Sequence, residues 1–336
     1  MAVEATDRAL LLAALEKVSQ GAVLVLGDLY LDEYIVGRAQ RLSREAPIPV
    51  LEFERQFVLP GGAANPACNL ASLGCQVEQV GVVGADPEAQ VLLAALALRG
   101  IGTGGVVVDR ERPTTKKTRV LAQGAQRFPQ QVARVDRQDR RPVEGAVQAA
   151  LQARLAEQLP SCRALLVSDY RSGAVTEALA AAARDLAHRS GALATADSQG
   201  NLRKFAGYDL LKCNRGEAEA ALGQPFGVEA EVRLGAEALV RLAAVRAVVV
   251  TLGGEGLALC IADGGYWRLP AANRSEVYDV TGAGDTVIAL LTAGRLAGLP
   301  WPLAAALANL GAGLVVRKLG NATPTPEELR WAIEQG

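Results

Sequence analysis

The most informative segment of the chain reads Val277-Tyr278-Asp279-Val280-Thr281-Gly282-Ala283-Gly284-Asp285-Thr286. The apolar, glycine-free run Val287-Ile288-Ala289-Leu290-Leu291 follows, which predicts that the Gly-Ala-Gly turn opens a helix. N–H groups in the first turn of a helix have no intrahelical acceptor, and with the helix dipole they favour an anion such as a phosphate. Asp285 in that turn can accept a proton. The same residues are also compatible with a plain tight turn and a helix cap.

Elsewhere, apolar runs typical of buried strands alternate with Ala- and Leu-rich helical patterns, which predicts an α/β fold with a mostly parallel central sheet. The predicted strands are 22–26, 77–83, 164–167, 192–196 and 247–251, and the predicted helices lie near 62–73, 86–99, 143–158, 174–190, 229–244, 284–298 and 302–317. Segments 34–57 and 106–136 are richer in charge and lack helical periodicity. We expect them to form a small β lid inserted into a core of residues 1–33, 58–105 and 137–336.

Composition favours a small-molecule substrate. The chain has 336 residues, half of them hydrophobic, with 35 basic and 36 acidic side chains. Because no basic stripe with interleaved aromatic residues is present, neither nucleic acid nor an anionic membrane is an expected partner. Residues 1–20 predict a short amphipathic helix rather than a signal peptide, and no stretch predicts a transmembrane span. The expected location is the cytoplasm.

Several classes of chemistry are excluded by the residues present. Five scattered cysteines without a CxxC pair argue against a disulfide framework or a zinc site, and His188 is the sole histidine, which argues against a Ser-His-Asp triad. The GxGxxG string at residues 100–105 follows a helix and precedes a strand, the reverse of a dinucleotide fingerprint, and no GxxxxGK[ST] motif occurs. Carboxylates, backbone amides, lysines and arginines must therefore carry any chemistry.

Two polar groups lie early in the chain. Asp28 and Asp32 follow the first predicted strand, where open α/β sheets bind ligands, and they can accept hydrogen bonds from sugar hydroxyls. Gly61 and Gly62 allow a close backbone approach, and Asn65 offers both a donor and an acceptor. The alternatives are two loop-solvating acids and a turn with a cap.

Two further groups lie in the second half of the chain. Asn214 and Glu217, one turn apart, can position a hydrated Mg²⁺ beside phosphates, or they form a capping box. The glycine-rich loop 251–256 can pass close to a nucleotide, although a simple hairpin also accounts for it.

In this order along the chain, these segments resemble the ribokinase-like (PfkB) carbohydrate kinases over nearly the whole length. The resemblance implies a three-layer α/β fold and transfer of the γ-phosphoryl group of ATP to a sugar hydroxyl. It implies Asp285 as the base and the amides of Gly282, Ala283 and Gly284 as the anion hole. The other residues that it implies are Asp28, Asp32, Gly61, Gly62 and Asn65 for the sugar, Asn214 and Glu217 for Mg²⁺ (Glu217 through water), Thr251, Gly253, Gly256 and Asn309 for the nucleotide, and Asp279 and Gly320 for K⁺. The lid is often a homodimer interface in this family.

A narrower resemblance concerns the lid. Segments 41–50, 112–120 and 130–136, together with Ser168-Asp169-Tyr170, are similar to the heptose-7-phosphate kinases of lipopolysaccharide precursor synthesis, and the chain matches their kinase domain alone. This implies the 1-hydroxyl of heptose-7-phosphate as the acceptor and Asp169 as a substrate residue. Lys117, Arg119 and Arg134 would then meet the substrate phosphate, unless they are lid-surface charges.

The chain also departs from that subfamily. Asp197-Ser198-Gln199-Gly200 stands where those kinases commonly read Asp-Pro-Lys-Gly, and Cys213 replaces a proline. The lost lysine indicates that another acceptor, such as ribose, fructose or a ketoacid sugar, is an alternative. A non-catalytic sugar-binding regulatory protein is the alternative from a different class.

Overall fold

The computed structural model describes residues 5–124, 129–273 and 277–335. Its strands are β1 (Ala22–Gly27), β2 (Leu29–Leu42), β3 (Pro49–Gly62), β4 (Gln76–Gly84), β5 (Gly102–Asp109), β6 (Thr115–Gln123), β7 (Gln130–Arg137), β8 (Ala164–Asp169), β9 (Leu193–Ser198), β10 (Leu210–Asn214), β11 (Ala247–Thr251), β12 (Leu257–Ile261) and β13 (Gly265–Leu269). Its α-helices are α1 (Ala5–Val18), α2 (Ala64–Ser72), α3 (Pro87–Ala97), α4 (Gly145–Gln158), α5 (Glu177–Arg189), α6 (Arg215–Leu222), α7 (Glu229–Ala243), α8 (Ala283–Leu296), α9 (Trp301–Val315) and α10 (Pro326–Gln335). No helix in these ranges is both long and apolar enough to span a bilayer.

The central sheet has the strand order β13-β12-β11-β10-β9-β8-β1-β4-β5. Its strands pair in parallel from β5 to β11, and only the last two pairings are antiparallel. The prediction of a mostly parallel sheet is therefore confirmed.

Helices cover both faces of this sheet. Strand β1 shows why, because Val23 and Val25 belong to one apolar cluster whereas Leu24 and Leu26 belong to another. The first cluster includes residues of α1, α2, α3, α8, α9 and α10, and the second includes residues of α4, α5, α6 and α7. A strand that is apolar on both sides is the sequence signature of such burial. The three-layer α/β architecture is thus confirmed.

A second, smaller sheet has the order β3-β2-β6-β7 and corresponds to the predicted lid. Its limits differ from the predicted ones. Strand β2 already begins at Leu29 and β3 continues to Gly62, because the two form one long antiparallel hairpin. Residues 106–109, predicted in the lid, instead continue β5, which pairs with β4 at the edge of the central sheet. Residues 1–4 of the predicted N-terminal helix and 125–128 of the predicted lid lie outside the described ranges.

The strand order reverses beside β1, which pairs with β4 on one side and β8 on the other. Open α/β sheets bind ligands in the crevice that such a reversal leaves at the carboxyl ends of the strands. The lid begins at the same edge, since Leu29 follows β1 after one residue. The fold therefore brings the ends of β1, β8, β9, β10 and β11 together beneath the lid.

Candidate active site

A cleft of about 770 Å³ opens at this edge of the sheet. Of the residues to which the sequence assigns a role in the site, those that line it are Asp32, Gly62, Lys117, Arg119, Asn214, Glu217, Thr251, Gly253, Gly256, Gly282, Ala283, Gly284, Asp285 and Asn309. The volume lies in the range of ordinary ligand sites. The lid follows β1 and the glycine-rich loop follows β11. Because three strands separate β1 from β11 in the sheet, the lid residues and this loop lie at opposite ends of the cleft.

Helix α8 begins at the Gly-Ala-Gly turn, as predicted. Gly282 precedes the helix with a φ of 78°, a left-handed conformation that favours glycine. A β-carbon at Gly282 would lie 2.5 Å from the Asn65 amide nitrogen, and one at Gly284 would lie 2.7 Å from the Lys212 ammonium. A larger residue at either position would therefore displace the Asn65 amide or the Lys212 ammonium from its place beside Asp285. One of the three predicted anion-hole amides is already engaged, since the Ala283 N–H donates to the Val280 carbonyl at 3.2 Å.

Asp285 lies in the first turn of α8 with only 4% of its surface exposed. Its Oδ2 accepts a hydrogen bond from Asn65 Nδ2 at 2.7 Å, and its Oδ1 accepts one from the Tyr170 hydroxyl at 2.6 Å. Burial, reinforced by the nearby Asp197 carboxylate, raises the pKa of Asp285 to about 7. A carboxyl group that titrates near neutral pH suits proton transfer.

Lys212 and Asp197 form a buried ion pair beside Asp285 that the sequence analysis missed. The Lys212 ammonium lies 2.9 Å from both Asp197 oxygens, and both side chains line the cleft. Burial alone would lower the pKa of Lys212, but the Asp197 carboxylate outweighs it and holds that pKa above its usual value. In the sequence, this pair is indicated only by Lys212, a charged residue in the otherwise apolar run of β10. The cleft therefore contains an ammonium, paired with Asp197, next to the start of α8.

Two residues predicted to hold sugar lie behind the cleft instead of on its wall. Asp28 is 2% exposed, and its carboxylate accepts the backbone N–H groups of Tyr170, Ser172 and Ala174. Asn65 is fully buried and orients Asp285. Both residues lie behind the side chains that line the cleft, and their polar groups form hydrogen bonds to other parts of the protein.

Three other predicted substrate residues also lie off the cleft. Gly61 belongs to β3, where its backbone packs against the Asp32 carboxylate. Asp169 forms an ion pair with Lys204, with 2.7 Å between Asp169 Oδ2 and Lys204 Nζ. Arg134 pairs with Asp136 on a strand whose residues are largely exposed, so the lid-surface alternative describes it in this chain.

The lid places one paired and one unpaired cation in the cleft. Arg119 lies 2.6 Å from Asp32, which also accepts a hydrogen bond from Asn321 at 2.6 Å. Lys117 lies 4.3 Å from the centre of the Tyr30 ring, and no carboxylate of the described residues reaches ion-pair distance of its ammonium. Burial lowers the pKa of Lys117, which indicates a cation that lacks full compensation.

The opposite end of the cleft carries the predicted nucleotide residues. Asn214 and Glu217 form the capping box of α6, with Glu217 Oε2 accepting the Asn214 N–H at 2.6 Å. Loop 251–256 joins β11 and β12 as an antiparallel hairpin. Both structural alternatives are thus realised, yet these residues also line the cleft.

Asp279 and Gly320 are in direct contact, since Asp279 Oδ2 accepts the Gly320 N–H at 2.8 Å. Asp279 Oδ1 accepts the N–H of Thr281. Within the described ranges, no cluster of three or more histidine, cysteine or acidic side chains has the arrangement of a metal site.

Comparisons with known proteins agree with this geometry. The family model of the pfkB carbohydrate kinases matches residues 23–328. The bifunctional protein HldE of Geobacter metallireducens is 42% identical over 307 residues, which cover 91% of this chain and 61% of that relative. Arabidopsis thaliana ribokinase, solved with ribose and ATP, has a TM-score of 0.72 at 19% identity and covers 94% of this chain and 99% of its own. Phosphofructokinase-2 of Escherichia coli, solved with substrates and products, has a TM-score of 0.75 at 17% identity, with coverages of 94% and 98%.

The two structural matches share the fold, and the family model extends from β1 into α10. The matched segment spans 61% of the length of the HldE relative. On these grounds the chain belongs to the pfkB family of carbohydrate kinases.

Proposed function

We propose that this chain transfers the γ-phosphoryl group of ATP to the hydroxyl of a sugar phosphate, with the 1-hydroxyl of heptose-7-phosphate as the acceptor. The observation that carries the proposal is that a buried carboxylate, Asp285 of α8, and a buried ammonium, Lys212 of β10, both face the cleft at the start of α8. A base and a fixed positive charge at one point are what transfer of a phosphoryl group to an alcohol needs.

The proposed reaction uses these groups as follows. The acceptor oxygen attacks the γ-phosphorus, the bond to the β,γ-bridging oxygen breaks, and the hydroxyl proton passes to Asp285. Charge is spread over the moving phosphoryl oxygens in such a loose transition state, so fixed positive groups matter more than base strength. The Lys212 ammonium and the amides of Gly282 and Gly284 are positioned to stabilise that charge. The lid above them excludes water, which would otherwise compete with the sugar.

The rate should depend on pH through Asp285. Because the pKa of Asp285 is raised to about 7 in the free protein, its carboxylate form is lost as the pH falls through that value. We therefore expect kcat/KM to increase with pH up to about pH 7, as Asp285 becomes ionised, and to stay constant at higher pH.

ATP is proposed to lie along the cleft from α8 to the β11–β12 hairpin. Thr251, Gly253, Gly256 and Asn309 would border the nucleotide. Glu217 fits a hydrated Mg²⁺ because Mg²⁺ in such sites is bound through one or two carboxylates and the substrate phosphates, without a dedicated cluster of acids. Asn214 lies beside Glu217 in the capping box. When bound, the ion would neutralise phosphate charge.

A K⁺ site is proposed at Asp279 and Gly320. The buried Tyr34 hydroxyl, which has no hydrogen-bond partner in the described part of the chain, adjoins Gly320, so an oxygen there is left for a cation. We expect initial rates in KCl to exceed those in NaCl at equal ionic strength, and an Asp279→Asn variant to lose that difference. Equal rates in both salts would contradict the site.

The acceptor phosphate is proposed to bind Lys117. Its ammonium lies in the cleft without a carboxylate partner among the described residues, whereas Arg119 is neutralised by Asp32. We expect Lys117→Met to raise KM for heptose-7-phosphate about 10- to 100-fold, as loss of a charged hydrogen bond does, with KM for ATP little changed.

Lys116→Met is the matched control for that variant. Lys116 precedes Lys117 on β6 and therefore lies on the other face of the strand, where it pairs with Glu33 and Glu88. Steady-state kinetics that show equal KM values for the two variants would exclude Lys117 as the phosphate ligand. A preference for ribose, fructose or a ketoacid sugar over heptose-7-phosphate would favour the alternative acceptors.

We further propose a homodimer formed through the lid. Five large apolar side chains of the lid are exposed: Leu42, Ile48, Phe53, Val132 and Val135. Exposed apolar side chains concentrated in one small sheet favour association through that sheet. We expect a dimer in sedimentation equilibrium and a monomer for Phe53→Glu/Val135→Glu, whereas Leu98→Glu, which alters an exposed leucine outside the lid, should remain dimeric. A monomeric wild-type protein would contradict the proposal.

The proposed location is the cytoplasm, where ATP is available as the donor. Cell fractionation with an antibody against the chain tests this, and recovery in a non-cytoplasmic fraction would contradict it.

A further inference from the structure

The loop that follows β8 begins with a residue, Tyr170, that contacts Asp285 directly. Tyr170 lines the cleft, and its hydroxyl donates to Asp285 Oδ1 at 2.6 Å. Burial, with the adjacent Asp285 carboxylate next in importance, holds the pKa of Tyr170 well above its usual value. The phenol therefore remains protonated and acts as a donor at physiological pH.

Several interactions hold this loop in one conformation. The Asp28 carboxylate accepts three of its backbone N–H groups, at 2.8, 3.0 and 2.9 Å. The Ser172 hydroxyl lies 2.5 Å from the Tyr30 hydroxyl. Arg171, next to Tyr170, has a φ of 59°, a left-handed conformation that costs a non-glycine residue about 1–3 kcal/mol. Such strain persists only where the surroundings over-determine the conformation.

We propose that Tyr170 is a positioning residue for the phosphoryl transfer, and that Asp28 acts on the chemistry through the loop that carries Tyr170. This inference rests on the proposed function. With Tyr170 on one oxygen and Asn65 on the other, the Asp285 carboxylate is fixed in orientation, and the remaining lone pairs are held toward the cleft. The acceptor hydroxyl thereby meets a base that is already aligned, which saves the reordering that a free carboxylate would require.

The same tyrosine connects the base to the lid. The Tyr170 and Tyr30 rings are in edge contact, with centroids 5.2 Å apart. Lys117 lies 4.3 Å from the Tyr30 ring and 5.9 Å from the Tyr170 ring. A substrate phosphate bound at Lys117 would therefore lie beside the Tyr30–Tyr170 pair, and the Tyr170 hydroxyl of that pair donates to Asp285.

Removing the Tyr170 hydroxyl should change the acidity of Asp285 in a defined direction. The groups facing Asp285 are Asn65 from α2, Asp197 from β9, Lys212 from β10 and Tyr170 itself. The hydrogen bond from Tyr170 stabilises the carboxylate form and so lowers the pKa of Asp285. Its loss should raise that pKa, whereas a purely structural role would leave it unchanged.

The test is a titration of the aspartate side-chain carboxyl carbons by NMR in the free, full-length protein, with Asp285→Asn used to assign the signal of Asp285. We expect Tyr170→Phe to move the Asp285 midpoint upward by about one unit. Tyr208→Phe is the matched control, because the Tyr208 hydroxyl is also buried and donates to the Ala180 carbonyl away from the cleft. Asp28→Asn, which weakens the hold on the loop, should move the midpoint in the same direction as Tyr170→Phe.

Kinetics provide the second readout. Tyr170→Phe is expected to lower kcat about tenfold, with the acidic limb of the pH profile displaced upward and KM for ATP unchanged. An unshifted Asp285 midpoint in Tyr170→Phe, or an equal shift in Tyr208→Phe, would overturn the inference. Since the titration uses neither ATP nor sugar, a shifted midpoint in a protein that phosphorylates no sugar would instead overturn the proposed function alone.

Discussion

Asp285→Asn is expected to lower kcat on the order of 10²-fold or more while the protein remains folded. The substitution keeps the shape of the side chain and an oxygen that Asn65 or Tyr170 can still bind, but the amide cannot take the proton from the acceptor hydroxyl. Coupled-enzyme measurement of ADP release at saturating substrates gives kcat directly. Circular dichroism and thermal unfolding establish that the fold persists.

Asp263→Asn serves as the control for Asp285→Asn. Asp263 lies in the exposed turn between β12 and β13, so the same chemical change there should leave turnover at the wild-type level. Near-normal kcat in the Asp285 variant would remove Asp285 from the role of base, whatever the behaviour of the control.

Lys212→Met is expected to lower kcat by about 10²-fold or more, because it removes a fixed positive charge from the start of α8 where the transferred group would lie. The ammonium lies so close to Gly284 that a β-carbon added there would be only 2.7 Å from it. Single-turnover measurements of product formation separate this loss from an effect on product release.

Stability must be separated from catalysis in this variant. Removing Lys212 leaves the buried Asp197 carboxylate without its partner, which by itself costs about 3–5 kcal/mol in comparable pairs. The double variant Lys212→Met/Asp197→Asn removes both charges and should recover most of the stability without recovering kcat. Full activity in the double variant would show that the ammonium serves only to neutralise Asp197.

A rescue variant tests the position of the charge. Gln199 lines the same cleft and stands where the resembling subfamily commonly has lysine. If the reaction requires a cation in this part of the cleft, a lysine at position 199 should serve in its place, and Lys212→Met/Gln199→Lys should regain part of kcat. No recovery in a folded double variant would show that the charge must stand at Lys212 itself.

The start of α8 could be predicted from sequence because the evidence for it is local. Glycines at 282 and 284, an acid at 285 and an apolar run after them specify the turn, its conformation and the helix within a few residues. The alternation of strands and helices likewise depends on periodicity within short windows, and the fold class followed from it.

The Lys212–Asp197 pair could not be found in the same way. The two residues are register partners on the parallel strands β9 and β10, and only that pairing brings them together. A sequence contains the lysine and the aspartate but not the register, which depends on the packing of both faces of the sheet. A lysine in an apolar run indicates a buried charge, but it does not identify Asp197 as the residue that pairs with it.

Asp28 shows the same limitation. Its position after β1 predicts a place near ligands, but the direction of its side chain is set by N–H groups that lie more than 140 residues further along the chain. Buried polar groups are hydrogen-bonded wherever partners are available. The Asp28 carboxylate, expected to accept hydrogen bonds from a sugar, therefore accepts them from backbone N–H groups. Asp32, four residues later, reaches the cleft and pairs with Arg119 instead.

Whether this chain is a kinase for a sugar phosphate is tested by ADP release from ATP and Mg²⁺ with a panel of sugars and sugar phosphates that includes heptose-7-phosphate, ribose and fructose. We expect acceptor-dependent ADP release, greatest with heptose-7-phosphate, formation of the 1-phosphorylated product by mass spectrometry, and loss of both in Asp285→Asn. Binding of sugar and ATP without acceptor-dependent ADP release from any member of the panel would contradict it and favour a sugar-binding regulatory protein.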